Sequence, residues 1–472
     1  MSEVLKFRRW VAWLLAAALL IFPPLPAFGF FGGLTVEKEK QLGEEFLLEL
    51  QQVANISSDP FLVSYLNRLG QKLVAQLGPQ PFQYRFFILE DPSINAFAVP
   101  GGYIFVTTGM IRMIEREGEL AGVLAHEISH IYARHMAKQV EKSKITNLAT
   151  LVGALAAVLI GGGAFAEPLL VGTMAGSASA MLKYSRDMEH EADSLAFRWM
   201  LRAGYNPHDM VSVFHKMSRQ RWFEGGKIPV YLSTHPEIES RMVELGHQLT
   251  QNRERLPRGE NSVEFEYFRQ KMQVLFSNPA QLLRHLAQDC AREPTNPVYH
   301  YGRALALSRL ERSSEAVAAF QQALRLSPGN PLIQRDLAVH LFQQGHYDQA
   351  RELLESLSQS QPRDEVLLFY LGRLYMEQKN IDKALALMEK VHNLNPAFIE
   401  VYHTLGTLYG EKGKMGLAHY YLGFHSLKAK AYPIALFHFR KALPLLPNYD
   451  HRHMEVKNQI ARLEKMRVRV SY

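Results

Sequence analysis

The chain has 472 residues, more than one ordinary core accommodates and close to the length of two domains. Hydrophobic residues make up 47% and charged residues 21%, which excludes a largely disordered chain, and the single cysteine, Cys290, excludes an intramolecular disulfide and a Cys-rich zinc site. The net charge of +7 comes with no Lys/Arg block interleaved with aromatics, so it reads as a mildly basic surface, one that also suits an anionic membrane face, and not as a nucleic-acid site.

In chain order, Lys6, Arg8 and Arg9 precede an uncharged apolar run of 13 residues, 10–22, broken by Pro23, Pro24 and Pro26. Ala27-Phe28-Gly29 then offers a small-x-small cleavage site. Residues 1–29 therefore read as a signal peptide, with an uncleaved anchor as the alternative. Export implies chemistry outside the cytoplasm, in a bacterial periplasm. Residues 36–78 read as two amphipathic helices, the second starting near Asp59-Pro60. Strands are expected at 82–89 and 103–107, the latter after a Pro-Gly-Gly turn at 100–102. A helix is expected over 117–137.

Residues 145–182 are apolar and small: 22 uncharged residues separate Lys144 from Glu167, and 15 more separate Glu167 from Lys183. The segment reads as a lid-like helical hairpin broken at Gly161-Gly162-Gly163, with a membrane-contacting hairpin as the alternative. Helices are expected at 184–203, 207–220 and 236–251. A polar stretch, 252–262, marks a boundary, so residues 30–255 form one domain and 256–277 a linker helix.

Residues 278–472 carry a repeat. Pro294, Pro328, Pro362 and Pro396 recur every 34 residues, as do Ala316, Ala350, Ala384 and Ala418. Phe320, Leu354, Met388 and Leu422 each lie four positions beyond one of those alanines, and Gly372 and Gly406 share the period. A 34-residue helix-turn-helix unit, with a small residue at the helix crossing and Pro after the second helix, is the tetratricopeptide pattern. Ala435, Phe439 and Pro447 repeat the spacing out of phase, as a terminal cap does.

With cysteine excluded, a transition-metal site must use His, Asp and Glu. His126-Glu127-Ile128-Ser129-His130 places two imidazoles one helical turn apart on one face, with a carboxylate beside them. That arrangement suits one zinc ion and a general base for hydrolysis of a peptide carbonyl. The alternative is a helix with exposed histidines. His135 does not have the spacing of a third ligand, because position 136 is Met and 133 is Ala where that arrangement needs His and Gly. Glu189 is the better candidate, with Asp193 four residues on and able to accept a hydrogen bond from a ligand histidine. His190 and Glu191 read as surface or packing residues. His235, before Pro236, reads on its own as a loop histidine preceding a helix.

At these positions the chain resembles the HtpX/CAAX-prenyl-protease family of gluzincin metallopeptidases. The matching residues are Asn95-Ala96-Phe97-Ala98-Val99-Pro100-Gly101-Gly102, the His126–His130 core, Glu189 with Asp193, and Thr234-His235-Pro236 with Arg241. They span roughly residues 40–250. With a signal in front and repeats behind, the whole chain resembles the exported branch of that family that serves outer-membrane β-barrel assembly.

The resemblance implies a mainly α, multi-domain chain: a gluzincin-type α+β metallopeptidase domain followed by an α-solenoid of tetratricopeptide repeats. It implies one zinc ion per chain on His126, His130 and Glu189, with Glu127 as general base and Asp193 orienting a ligand. His235 would steady the substrate oxyanion or occupy the open zinc position and keep the enzyme latent. Arg241 would support that loop beside the substrate. The strand 103–107 would be an edge strand, with Tyr103 and Phe105 meeting substrate. Expected partners are misfolded outer-membrane β-barrel proteins, the β-barrel assembly machinery through the repeats, and a membrane through 145–182. A repeat-based chaperone with a latent peptidase, and an integral-membrane protease, are the competing readings.

Overall fold

The computed structural model describes residues 34–143, 152, 184–223, 229–396 and 398–470. The expected signal, 1–29, and most of the apolar segment 145–182 lie outside the described residues. Val152 is described, and its side chain is buried against Leu42, Phe46 and Val140. Among the described residues, no helix is long and apolar enough to cross a membrane.

The first two helices are α1 (Val36–Val53) and α2 (Pro60–Val74). Asp59 caps α2 by accepting from Leu62 N, and Pro60 occupies its first turn, where a missing N–H costs nothing. Three strands follow: β1 (Arg85–Leu89), β2 (Ala96–Val99) and β3 (Tyr103–Thr107). Gly101 and Gly102 turn β2 into β3 with φ of 92° and 102°, and a Cβ on Gly102 would lie 2.3 Å from the Gln83 carbonyl oxygen.

The sheet order is β1-β3-β2, with β1 parallel and β2 antiparallel to β3. The strand 103–107 is therefore central, not the edge strand that was expected. Its side chains are buried on both faces. Ile104 and Val106 join the main core with Leu62, Leu66, Leu124 and Ile128, while Tyr103 and Phe105 lie under α1 with Phe46 and Phe97. Tyr103 is 3% exposed and Phe105 fully buried, so neither meets substrate.

The chain continues through α3 (Thr108–Met113), α4 (Glu117–Tyr132) and α5 (His135–Ser143). Glu119 starts α4 by accepting from the backbone N–H groups of Glu115 and Arg116 at 2.8 and 3.2 Å. One helix was expected over 117–137. Instead the chain breaks at Arg134, which takes φ 53° and whose side chain bonds to Glu39 and to the Leu34 carbonyl. Then come α6 (Arg186–Arg202), α7 (His208–Phe223), α8 (Val230–Thr234) and α9 (Ile238–Gln251).

The helix expected as a linker is α10 (Val263–Phe276), and it belongs to two cores. Phe265, Phe268 and Met272 pack into the peptidase core; Tyr267 packs against Tyr301 of the array. Lys271 sits between Asp59 of the α2 cap (3.1 Å) and Asp336 of the array (3.0 Å).

Eleven further helices form the array: α11 (Pro279–Arg292), α12 (Pro297–Arg309), α13 (Ser313–Leu326), α14 (Pro331–Gln343), α15 (Tyr347–Ser360), α16 (Glu365–Glu377), α17 (Ile381–Leu394), α18 (Ile399–Glu411), α19 (Met415–Lys428), α20 (Tyr432–Ala442) and α21 (His451–Val470). The periodic alanines are buried, and Gly406 leaves room for Leu422. Phe439 fills the same kind of notch over Gly423, half a repeat later, so α19 serves both as second helix to α18 and as first helix to α20. At this end Lys430 Nζ reaches the Ala54 carbonyl, at the end of α1.

Candidate metal centre

Helix α4 is buried along nearly its whole length, which suits its Ala, Gly, Leu and Ile content and makes its polar residues exceptional. His126 and His130 project from one face, their Nε2 atoms 3.0 Å apart. Helix α6, started by Ser185, brings Glu189 and Asp193 alongside. His235 ends α8, and its ring stacks on Tyr231 at 4.4 Å.

His126, His130, Glu189 and His235 each direct one donor atom into a common space, all within 4.8 Å of one another. His126 Nε2 lies 3.2 Å from His235 Nδ1 and 3.5 Å from Glu189 Oε2. Glu189 Oε1 lies 3.0 Å from His235 Nδ1 and 3.5 Å from His130 Nε2. A tetrahedral ion with ligand bonds of about 2.05 Å has donor–donor edges of about 3.3 Å. The donor set therefore fits a four-coordinate metal ion.

Beside it, Glu127 is fully buried, and neither carboxylate oxygen has a hydrogen-bond partner among the described residues. The His235 imidazole stands close to it, with Nε2 3.6 Å from Oε1. Burial pushes the Glu127 carboxyl above the usual range, against the pull of His235 and His126. An unpartnered buried carboxylate is costly unless something polar or cationic meets it.

Arg241 is 1% exposed. Its Nε and Nη2 donate to Asp193 at 2.7 Å each, and Nη1 lies 2.6 Å from Glu189 Oε2. The sequence reading put it beside the substrate; the structure buries it behind the donor set, where it holds two carboxylates. Burial opposes ionisation of Glu189, but the Arg241 charge together with His235 and His126 outweighs it and holds that carboxyl well below its ordinary value. Asp193 is lowered in the same way and accepts from His126 Nδ1 at 2.9 Å. Burial and Arg241 push His126 down, yet its bonds to Asp193 and Glu189 prevail and raise it to about 9. His130 is pushed well down by burial and by His126.

The structure thus gathers Glu127, Asp193 and Arg241 around the four donors and leaves Tyr103 and Phe105 on the far side of the sheet. Three other residues adjoin the centre. Tyr184 stacks on His130 at 3.9 Å, and Tyr231 on His235. His135, unsuited by spacing as a ligand, bonds His130 through Nδ1 at 2.9 Å and Glu191 through Nε2 at 3.1 Å. Glu191 thus has a partner inside the site, which its reading as a surface residue missed. On an unbroken helix a residue five positions on is rotated about 140° away; the break at Arg134 brings His135 back, and nothing in the local pattern announces that break.

Residues 62–249 match Peptidase family M48, and residues 282–331, 309–368 and 366–398 match tetratricopeptide repeats. Over 316 residues the chain is 31% identical to the β-barrel assembly-enhancing protease of Escherichia coli K12, covering 65% of this chain and 64% of that protein. It is 30% identical over 358 residues to the putative β-barrel assembly-enhancing protease of Vibrio cholerae, covering 74% and 66%. A more distant relative, the mitochondrial metalloendopeptidase OMA1 of Schizosaccharomyces pombe, is 28% identical over 218 residues, covering 45% of this chain and 61% of that one. The chain spans just under two thirds of the length of these relatives. The M48 peptidase match through residues 62–249 thus covers all four donors, Glu127, Asp193 and Arg241, and the tetratricopeptide-repeat matches follow it.

Proposed function

We propose that the chain is an exported zinc metalloendopeptidase of cell-envelope quality control, acting in the periplasm on misassembled outer-membrane β-barrel proteins and aiding their assembly. The observation that carries the enzymatic reading is the set of four converging donors with a buried Glu127 beside it that has no hydrogen-bond partner among the described residues.

His126, His130 and Glu189 would hold the zinc. Zinc supplies Lewis acidity, lowering the pKa of a water to about 7 and polarising a peptide carbonyl. Glu127 takes the proton from the attacking water and returns it to the leaving amine, and its raised carboxyl pKa suits both directions. Asp193 accepts from His126 Nδ1, which leaves Nε2 as the donor atom. Arg241 fixes Asp193 with a two-bonded fork.

His235 would fill the fourth position of a bound ion, which would make the arrangement latent. Substrate entry requires its withdrawal, after which it can steady the oxyanion. The free edge of β2, which packs beside α4, is the place for an extended substrate to add as a strand.

The client class is supported by the relatives named for β-barrel assembly. The repeat array is suited to recruit those clients or the assembly machinery along its concave surface. The test of the enzymatic reading is Glu127→Gln. It is expected to abolish cleavage of an unfolded barrel protein while metal content stays near one zinc per chain, and full activity overturns the reading.

The closed donor set favours a second role, a scaffold whose peptidase is seldom open. If so, Glu127→Gln still rescues barrel assembly in cells lacking the protein; complete failure of rescue removes that role.

A further inference from the structure

We infer that His135 is a positioning residue for the metal ligand His130, and that Glu191 anchors it. The inference rests on the metal-site reading above.

Hydrogen-bond logic fixes the direction of the chain. His130 Nε2 faces the other donors, so it must keep its lone pair to bind a cation. The proton of the neutral ring is then on Nδ1, which faces His135 Nδ1 at 2.9 Å. A carboxylate only accepts, so His135 Nε2 donates to Glu191 Oε2 at 3.1 Å. A neutral His135 therefore has its Nδ1 lone pair free to accept from His130. One carboxylate sets the tautomers of two imidazoles in series.

The two ligand histidines are oriented by different means. His126 bonds directly to Asp193, which is buried and clamped by Arg241. His130 reaches its carboxylate through a second imidazole, and the Glu191 side chain at the end is 53% exposed. His135 itself is fully buried, with both ring nitrogens bonded. It reaches this place because Arg134 adopts a left-handed conformation and is tied to Glu39, a buried carboxylate of α1.

The test compares the full chain with His135→Leu, His135→Asn and Glu191→Gln. Zinc affinity is measured by chelator competition, and the cobalt-substituted absorption spectrum reports ligand geometry. Apo-protein thermal unfolding separates a packing defect from loss of orientation. His135→Leu is expected to weaken zinc binding about 10- to 100-fold and to alter the cobalt spectrum. His135→Asn, which places an amide oxygen where Nδ1 stood, recovers most of that loss, and Glu191→Gln weakens binding only a few-fold.

Zinc affinity within twofold of wild type in His135→Leu, with an unchanged cobalt spectrum, overturns the inference. So does a loss that His135→Asn fails to recover and that follows the apo unfolding midpoint, because that is a packing role. If the unaltered chain binds no zinc, the metal-site reading fails and this one with it. If it binds zinc and Glu127→Gln is inactive while His135→Leu binds normally, only the positioning role fails.

Discussion

Replacing Arg241 by Met keeps the volume of the side chain and removes its charge. The guanidinium is 1% exposed and makes three contacts of 2.6–2.7 Å with Asp193 and Glu189, themselves nearly inaccessible. Removing one partner of such a buried cluster leaves an uncompensated charge, which costs about 3–5 kcal/mol. A bound metal ion would compensate Glu189, so the loss would fall mainly on Asp193. That is a large part of the roughly 5–15 kcal/mol that holds an ordinary domain. Urea unfolding followed by tryptophan emission is the assay. Outside the N-terminal segment the tryptophans are Trp199, in α6 with Glu189 and Asp193, and Trp222, so the signal reports the peptidase domain. Pairing the change with Asp193→Asn removes the stranded charge and keeps an acceptor for His126, and is expected to recover about half of the loss. A single substitution that costs less than about 1 kcal/mol, or a double variant no better than the single one, refutes the account of Arg241 as the charge that holds this cluster.

Two further outcomes follow from the same geometry. His235→Ala removes the fourth donor and is expected to raise cleavage of a short quenched peptide several-fold at unchanged zinc content; an equal or lower rate, measured by fluorescence release, refutes the latent arrangement. In the chelated chain His126 is raised to about 9 by Asp193 and Glu189, against burial and Arg241. A raised cation contributes stability that is fully present below its unfolded value near 6.5 and lost as pH rises through about 9. The urea midpoint of the metal-free chain is therefore expected to fall across that window, and a flat midpoint contradicts the charged His126–Asp193 pair.

The helical parts were legible because their physics is local. Asp59-Pro60 started α2 where a cap and a first-turn proline belong, and the 34-residue period returned as stacked helix pairs. The half-repeat offset of Ala435 and Phe439 reappears as the packing of Phe439 over Gly423. The errors were non-local. Strand pairing depends on partners distant in sequence, so 103–107 was placed at the edge of the sheet. Yet Tyr-Ile-Phe-Val is a continuous apolar run, the mark of a strand covered on both faces. His135 was set aside as a ligand because Met136 and Ala133 stand where a third-ligand spacing needs His and Gly, and its place behind His130 depends on a helix break at Arg134 whose ion-pair partner, Glu39, lies far upstream. Arg241 was placed beside the substrate on the family resemblance alone; nothing in one sequence told that it is spent on two neighbouring carboxylates.

Charge balance explains why this cluster reads as a cation site and not as an internal salt-bridge network. Glu127, Glu189 and Asp193 are all within the buried centre, and Arg241 is the one permanent cation among them, which leaves two negative charges. A network kept only for folding would be neutral, because each uncompensated charge costs several kcal/mol out of water. Here the carboxylates Asp193 and Glu189 raise the protonation of His126, and burial pushes the Glu127 carboxyl up. A divalent ion among the four donors brings the centre to neutrality and frees His126 Nε2 of its proton. His235 enters this balance as an imidazole that adds no net charge when neutral. It can leave the fourth position to a water or a peptide carbonyl, also neutral, without uncovering a charge. A carboxylate plug could not do so: its departure would change the charge of the centre by one unit in a low-dielectric site, and opening would cost far more. On the proposed function, an uncharged imidazole is what would let that position both close the site and be given up to substrate.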